Sequence, residues 1–159
     1  MSNENKRRDF LATALAVGAT GIVAPVGSAR AAPARLGVTG TGRLTAHAID
    51  TFFGVTGAGL QIDLNIRNGN SDQYRLVKTV YTVTGGRTAA PILIGDEFRT
   101  GRYELLLHLD DYFLQRGAAL PSPNFLTKVP LRFAIYDPNQ NFHVPVLFSP
   151  WGYSYYRGS

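Results

Sequence analysis

Apolar and polar residues alternate with a period of two over several stretches of the chain. Leu60, Ile62, Leu64 and Ile66 are interleaved with Gln61, Asp63, Asn65 and Arg67. Tyr103, Leu105, Leu107 and Leu109 alternate with Arg102, Glu104, Leu106 and His108. Val129, Leu131, Phe133 and Ile135 form a third row, and Phe142, Val144, Val146 and Phe148 a fourth. Successive side chains of a strand point to opposite faces, so each row predicts a strand with one apolar face. Weaker patterns predict strands at Leu44–Asp50, Tyr74–Thr84, Arg87–Ile94 and Gly152–Arg157. Clusters rich in Gly, Asn, Asp and Pro separate these runs at 54–59, 68–72, 84–86 and 137–141, where the chain is expected to turn. Short strands at this spacing predict an all-β sandwich or barrel. One helix is expected at Asp110–Arg116, capped by Asp110 or Asp111 and ended by Gly117.

The first residues follow a different pattern. Lys6-Arg7-Arg8 precedes an apolar, small-residue run from Leu11 to Val26, and Ala29-Arg30-Ala31 follows it. A basic start, an uncharged apolar middle and a small-x-small site describe an export signal, with cleavage expected after Ala31. The adjacent arginines followed by Asp9-Phe10-Leu11 resemble the twin-arginine signal, which implies a periplasmic mature protein. The run is shorter than a membrane-spanning helix needs and is interrupted by glycines and a proline, which argues against a permanent anchor. The expected organisation is a signal at 1–31, a short leader at 32–43 and one domain at 44–159.

Charge and cysteine content narrow the function. The chain has 16 basic and 11 acidic residues, a formal net charge of +5. Lys6, Arg7, Arg8 and Arg30 belong to the signal, as do Glu4 and Asp9. Only 12 basic and 9 acidic residues then remain, net +3. No Lys/Arg-rich run is left to suggest a nucleic-acid partner, and none is expected. With no cysteine there is no disulfide frame, thiolate nucleophile or Cys–zinc site.

Three histidines, His47, His108 and His143, are the side chains suited to proton transfer near neutral pH. By parity His47 shares a face with Thr45 and Ile49, opposite Leu44, Ala46 and Ala48. His143 lies opposite its apolar row, with Pro145 on its own face. His108 also faces away from its apolar row and is expected at the surface. Parity alone makes each an ordinary solvated histidine.

The C-terminal segment changes that reading. Ser149-Pro150-Trp151-Gly152-Tyr153-Ser154 is followed by Tyr156-Arg157-Gly158-Ser159. This pair of blocks resembles the end of the 5-hydroxyisourate hydrolases, a transthyretin-like family. Leu44-Thr45-Ala46-His47-Ala48-Ile49-Asp50-Thr51 resembles that family's N-terminal block, and Thr84-Gly85-Gly86-Arg87 its Asp-Gly-Arg block. The resemblance covers nearly all of 44–159.

It implies a sandwich of two four-stranded sheets with one short helix, assembled as a homotetramer with sites between subunits. It also implies a catalytic set of His47, Arg87, His143 and Ser159, with His47, Arg87 and Tyr156 binding substrate and no metal or cofactor. The implied reaction opens the six-membered ring of 5-hydroxyisourate to 5-hydroxy-2-oxo-4-ureido-2,5-dihydro-1H-imidazole-5-carboxylate, a step of urate degradation. Either histidine can be the base, and Arg157 is expected to anchor the chain end through a charge pair. There are departures: Asn141 stands where histidine is common, Gly85 where aspartate is usual, and Tyr155 where a smaller residue is found. Two other readings are a non-catalytic carrier of purine-like or aromatic ligands and a zinc site built from all three histidines. Intact His47, Arg87 and His143 speak against the first, and the lack of a matched block around His108 against the second.

Overall fold

The computed structural model describes residues 39–158; the expected signal, most of the leader and Ser159 lie outside the described residues. The strands are β1 (Arg43–Asp50), β2 (Val55–Thr56), β3 (Gln61–Arg67), β4 (Tyr74–Tyr81), β5 (Leu93–Ile94), β6 (Gly101–His108), β7 (Lys128–Ile135), β8 (Phe142–Phe148) and β9 (Tyr153–Tyr155). A single α-helix, α1, spans Leu109–Gln115, and a short 3-10 turn spans Gly95–Glu97.

Two sheets face each other. One has the order β4-β3-β6-β7, the expected four strands. The other has the path β2-β1-β8-β9, and β5 also pairs with β1, so it counts five. Both extra pieces are two residues long and sit against opposite ends of β1. The alternating rows face inward as expected. Leu44, Ala46, Ala48, Val144, Val146 and Phe148 from one sheet meet Ile62, Leu64, Leu105, Leu107 and Leu131 from the other, all buried. Burying a large apolar side chain is worth about 1.5–3 kcal/mol, so these rows drive the sandwich together.

Three expectations about local structure change. The strand expected at Arg87–Ile94 reduces to Leu93–Ile94 plus single bridges at Arg87 and Thr88. Pro91 has no N–H for a ladder, which limits pairing there. Helix α1 is not capped by Asp110 or Asp111. Its N-cap is His108 without a side-chain cap bond, and the two aspartates lie in the first turn, where the helix dipole favours them. Gly117, at φ +67°, follows the helix as expected, and its N–H reaches Leu114 O at 3.0 Å.

The third change concerns His108, which is only 6% exposed although it lies on the outer face of its sheet. Nε2 sits 2.8 Å from Asp63 Oδ2, and Nδ1 lies 3.5 Å from Asp111 Oδ2. Carboxylates on both sides let the imidazole tie β3 and β6 to α1. Burial pushes the Asp63 carboxyl up, but hydrogen bonds from Thr79, His108 and Gln61 outweigh it and hold its pKa below the ordinary value. The reading of His108 as a solvated surface residue is therefore corrected: parity gave its face correctly but not what covers it.

Candidate active site

Strands β1 and β8 run parallel at the centre of the five-stranded sheet. Their register pairs Thr45 with His143, His47 with Pro145, and Ile49 with Leu147. All six side chains point away from the sandwich core, so the two histidines become diagonal neighbours on one outer face. Their ring centroids lie 6.4 Å apart, with planes inclined by 27°. Both histidines are half-buried.

Arg87 reaches this face through a tight turn. Gly85 and Gly86 have φ of +84° and +72°, a region glycine enters without strain. A Cβ on Gly86 would lie 2.2 Å from Ala48 O, so only glycine allows so close an approach. The approach is used: Ala48 N–H donates to Gly86 O at 2.8 Å, and Arg87 bridges His47. Nη1 of Arg87 then lies 3.4 Å from Nε2 of His143. A Cβ on Gly85 would meet nothing within 4 Å, so space does not exclude a side chain there, while the φ of +84° favours glycine.

Thr45 contributes Oγ1 at 2.9 Å from Nδ1 of His143. Burial lowers the His143 pKa below its ordinary value; the Arg87 charge and His47 add to this, and a main-chain contact from Thr45 opposes it. An imidazole kept neutral beside a guanidinium is suited to accept a proton from water.

The C-terminal segment closes the other edge of β8. Strand β9 pairs Val146 with Tyr155 and ends there. Tyr156 N–H still reaches Pro145 O at 3.3 Å, but Pro145 has no N–H to return, so the ladder lapses. It resumes where Gly158 N–H donates to His143 O at 2.8 Å. A Cβ on Gly158 would lie 2.9 Å from His143 Cδ2, so the main chain at 158 packs directly against the imidazole. Tyr156 is 57% exposed and also borders a cavity of about 210 Å³ with Phe133, Tyr136, Phe142 and Tyr155. Among the described residues Arg157 makes no charge pair. It donates to Gln140 Oε1 at 2.7 Å and stacks over Phe142, 4.6 Å from the ring centre.

The structure therefore brings His47, Arg87 and His143 together and sets the chain end against His143. Ser159 lies outside the described residues. His108 stands on the other sheet, so the three histidines do not converge as a zinc site requires. Reading the sequence missed the role of Thr45 and the contact between Gly158 and His143. Parity put Thr45 on the correct face, but only the β1–β8 register shows which side chain it meets.

Two histidines and a guanidinium gathered on the outer face of a two-sheet sandwich form a cluster suited to acid–base chemistry. The chain belongs to the HIUase/Transthyretin family, which it matches over residues 44–158. It is 50% identical over 119 residues to "5-hydroxyisourate hydrolase 2" of Rhizobium meliloti, covering 75% of this chain and 98% of that protein. The 5-hydroxyisourate hydrolase of Klebsiella pneumoniae superposes with a TM-score of 0.56 at 27% identity, over 74% of this chain and 99% of that one. An (S)-allantoin synthase structure gives a TM-score of 0.71 at 36% identity over 77% of this chain, which spans only 46% of that protein. Sea bream transthyretin, at 14% identity and a TM-score of 0.64 over 73% of this chain and 94% of that one, shares the fold.

Proposed function

We propose that this protein hydrolyses 5-hydroxyisourate in urate degradation, with His143 as the general base. The observation that carries the base assignment is the environment of His143, a half-buried imidazole whose Nε2 lies beside Arg87. Nε2 takes a proton from water and the hydroxide adds to the amide carbonyl carbon of the six-membered ring. The oxyanion collapses, the C–N bond breaks, and the nitrogen leaves with a proton supplied by His143 or His47. The products are a ring-opened carboxylate and a ureido group. The Arg87 guanidinium offers paired donors to an anionic heterocycle, or to the oxyanion as it forms. Tyr156 and Ser159 are assigned to substrate binding and catalysis by resemblance to the family. The test is a spectroscopic assay on freshly generated 5-hydroxyisourate. Decay at the uncatalysed rate, with the ligand bound, would favour the carrier reading.

We also infer a homotetramer with shared sites. Ile49 and Leu147 are half-buried on the same outer face as the histidines, and Pro145 is buried there. Such a face favours cover by another subunit. Sedimentation of the active protein should give the tetramer, and a fully active monomer would contradict it. Export to the periplasm rests on the arginine pair and the Ala29-Arg30-Ala31 site. Mass spectrometry of the native protein should find Ala32 at the N-terminus; an intact Met1–Ala31 segment would exclude export by cleavage.

A further inference from the structure

Thr45 and His143 are register partners across β1 and β8, and Oγ1 lies 2.9 Å from Nδ1. A hydroxyl can donate or accept, so this contact alone does not say which ring nitrogen carries the proton. The other nitrogen decides it. Nε2 faces Arg87 Nη1 at 3.4 Å, and a guanidinium has only donors. A proton on Nε2 would set two N–H groups head to head beside a positive charge. The favoured tautomer therefore carries its proton on Nδ1, with Thr45 Oγ1 accepting and the Nε2 lone pair directed toward Arg87, a long contact that gives way when Nε2 takes a proton.

We infer that Thr45 is a positioning residue: its hydroxyl holds His143 in the Nδ1–H tautomer, so that Nε2 is the atom that takes the proton from water. The role rests on the reading of His143 as the base. It uses the stiffness of a β-branched side chain, whose few χ1 states keep Oγ1 in place. When Nε2 is protonated, the Nδ1–H bond to Oγ1 persists and gains strength, because its donor is now charged. No proton passes through Thr45, and the cycle closes when Nε2 returns its proton to the leaving nitrogen.

The experiment compares the intact protein with Thr45→Val, which keeps the shape and the main-chain contact and loses only the hydroxyl, and with Thr45→Ser, which restores it. Ring ¹⁵N shifts in histidine-labelled protein report the tautomer directly, and the two other histidines are assigned by single substitution. The unsubstituted protein should show His143 as Nδ1–H near neutral pH. Thr45→Val should give a mixture with the Nε2–H form and a kcat lower by about tenfold to a hundredfold, with KM nearly unchanged. Thr45→Ser should return both the tautomer and most of kcat. An Nε2–H tautomer in the unsubstituted protein would overturn the inference. So would an unchanged His143 tautomer in Thr45→Val, whatever its activity. His143→Gln separates the two readings: full activity there removes the base assignment and leaves the tautomer result standing.

Discussion

His143→Ala is expected to lower kcat for 5-hydroxyisourate hydrolysis by about two orders of magnitude or more, the usual scale for a positioned proton-transfer group. His47→Ala and Arg87→Ala should fall in the same range, because the three side chains meet on one face. The pH dependence gives an independent check. The base works only when neutral, so activity falls as pH drops through the His143 pKa. Burial, aided by Arg87, lowers that pKa. The acid limb should therefore lie below the ordinary histidine value of about 6.5. In Arg87→Gln the residual activity should show its acid limb at higher pH, since one cause of the depression is gone while burial remains. His108→Ala is the contrasting variant. It should keep kcat while losing about 1–3 kcal/mol of stability, because Asp63 loses a partner inside a nearly closed network. Steady-state kinetics beside thermal melts read both effects. A crippled kcat at full stability in His108→Ala would overturn the site described here.

The sequence made one part of the site legible and hid another, for a physical reason. Parity in Leu44–Asp50 and Phe142–Phe148 placed His47 and His143 on outer faces, and both lie there. Nothing in a period of two says which strands become neighbours. That β1 and β8 lie side by side and parallel, with Thr45 opposite His143, depends on pairing between residues nearly a hundred positions apart. The same limit produced the error at His108. Its outward direction was correct, but the cover came from Asp63 on β3 and Asp111 on α1, contacts that the local pattern does not contain. For Arg157 a charged partner was the expectation, and among the described residues it meets the amide of Gln140 and the ring of Phe142. The resemblance to the family supplied Arg87, because a loop residue after two glycines carries no periodic signal of its own. Residue types and faces were readable; register and long-range partners were not.

Deleting Tyr156–Ser159 is expected to reduce hydrolysis by two orders of magnitude or more while leaving the sandwich folded. The stability side follows from how little these residues bury. Strand β9 already ends at Tyr155, and Tyr156 and Arg157 are exposed. Beyond that strand the described segment is held by two main-chain hydrogen bonds and by Arg157 on Gln140 and Phe142. Each such hydrogen bond is worth about 0.5–1.5 kcal/mol, so their joint loss should lower the melting temperature by roughly 4–15 °C and leave the sandwich folded. The activity side follows from what the segment touches. Gly158 donates to the His143 carbonyl and lies against its ring, so the deletion removes a support of the base at its main chain and side chain together. Gly158→Ala tests the same contact without removing anything. Its Cβ would stand 2.9 Å from Cδ2, closer than unbonded carbons settle, so the imidazole must shift from the position it holds beside Arg87 and Thr45. About a tenfold loss of kcat with an unchanged melt is the expected result, since a small misplacement of a reacting group is costly. Kinetics, melts and sedimentation on both variants decide the matter. Full activity in the deletion variant would free the chain end from the site, and its unfolding would make the segment's role structural instead.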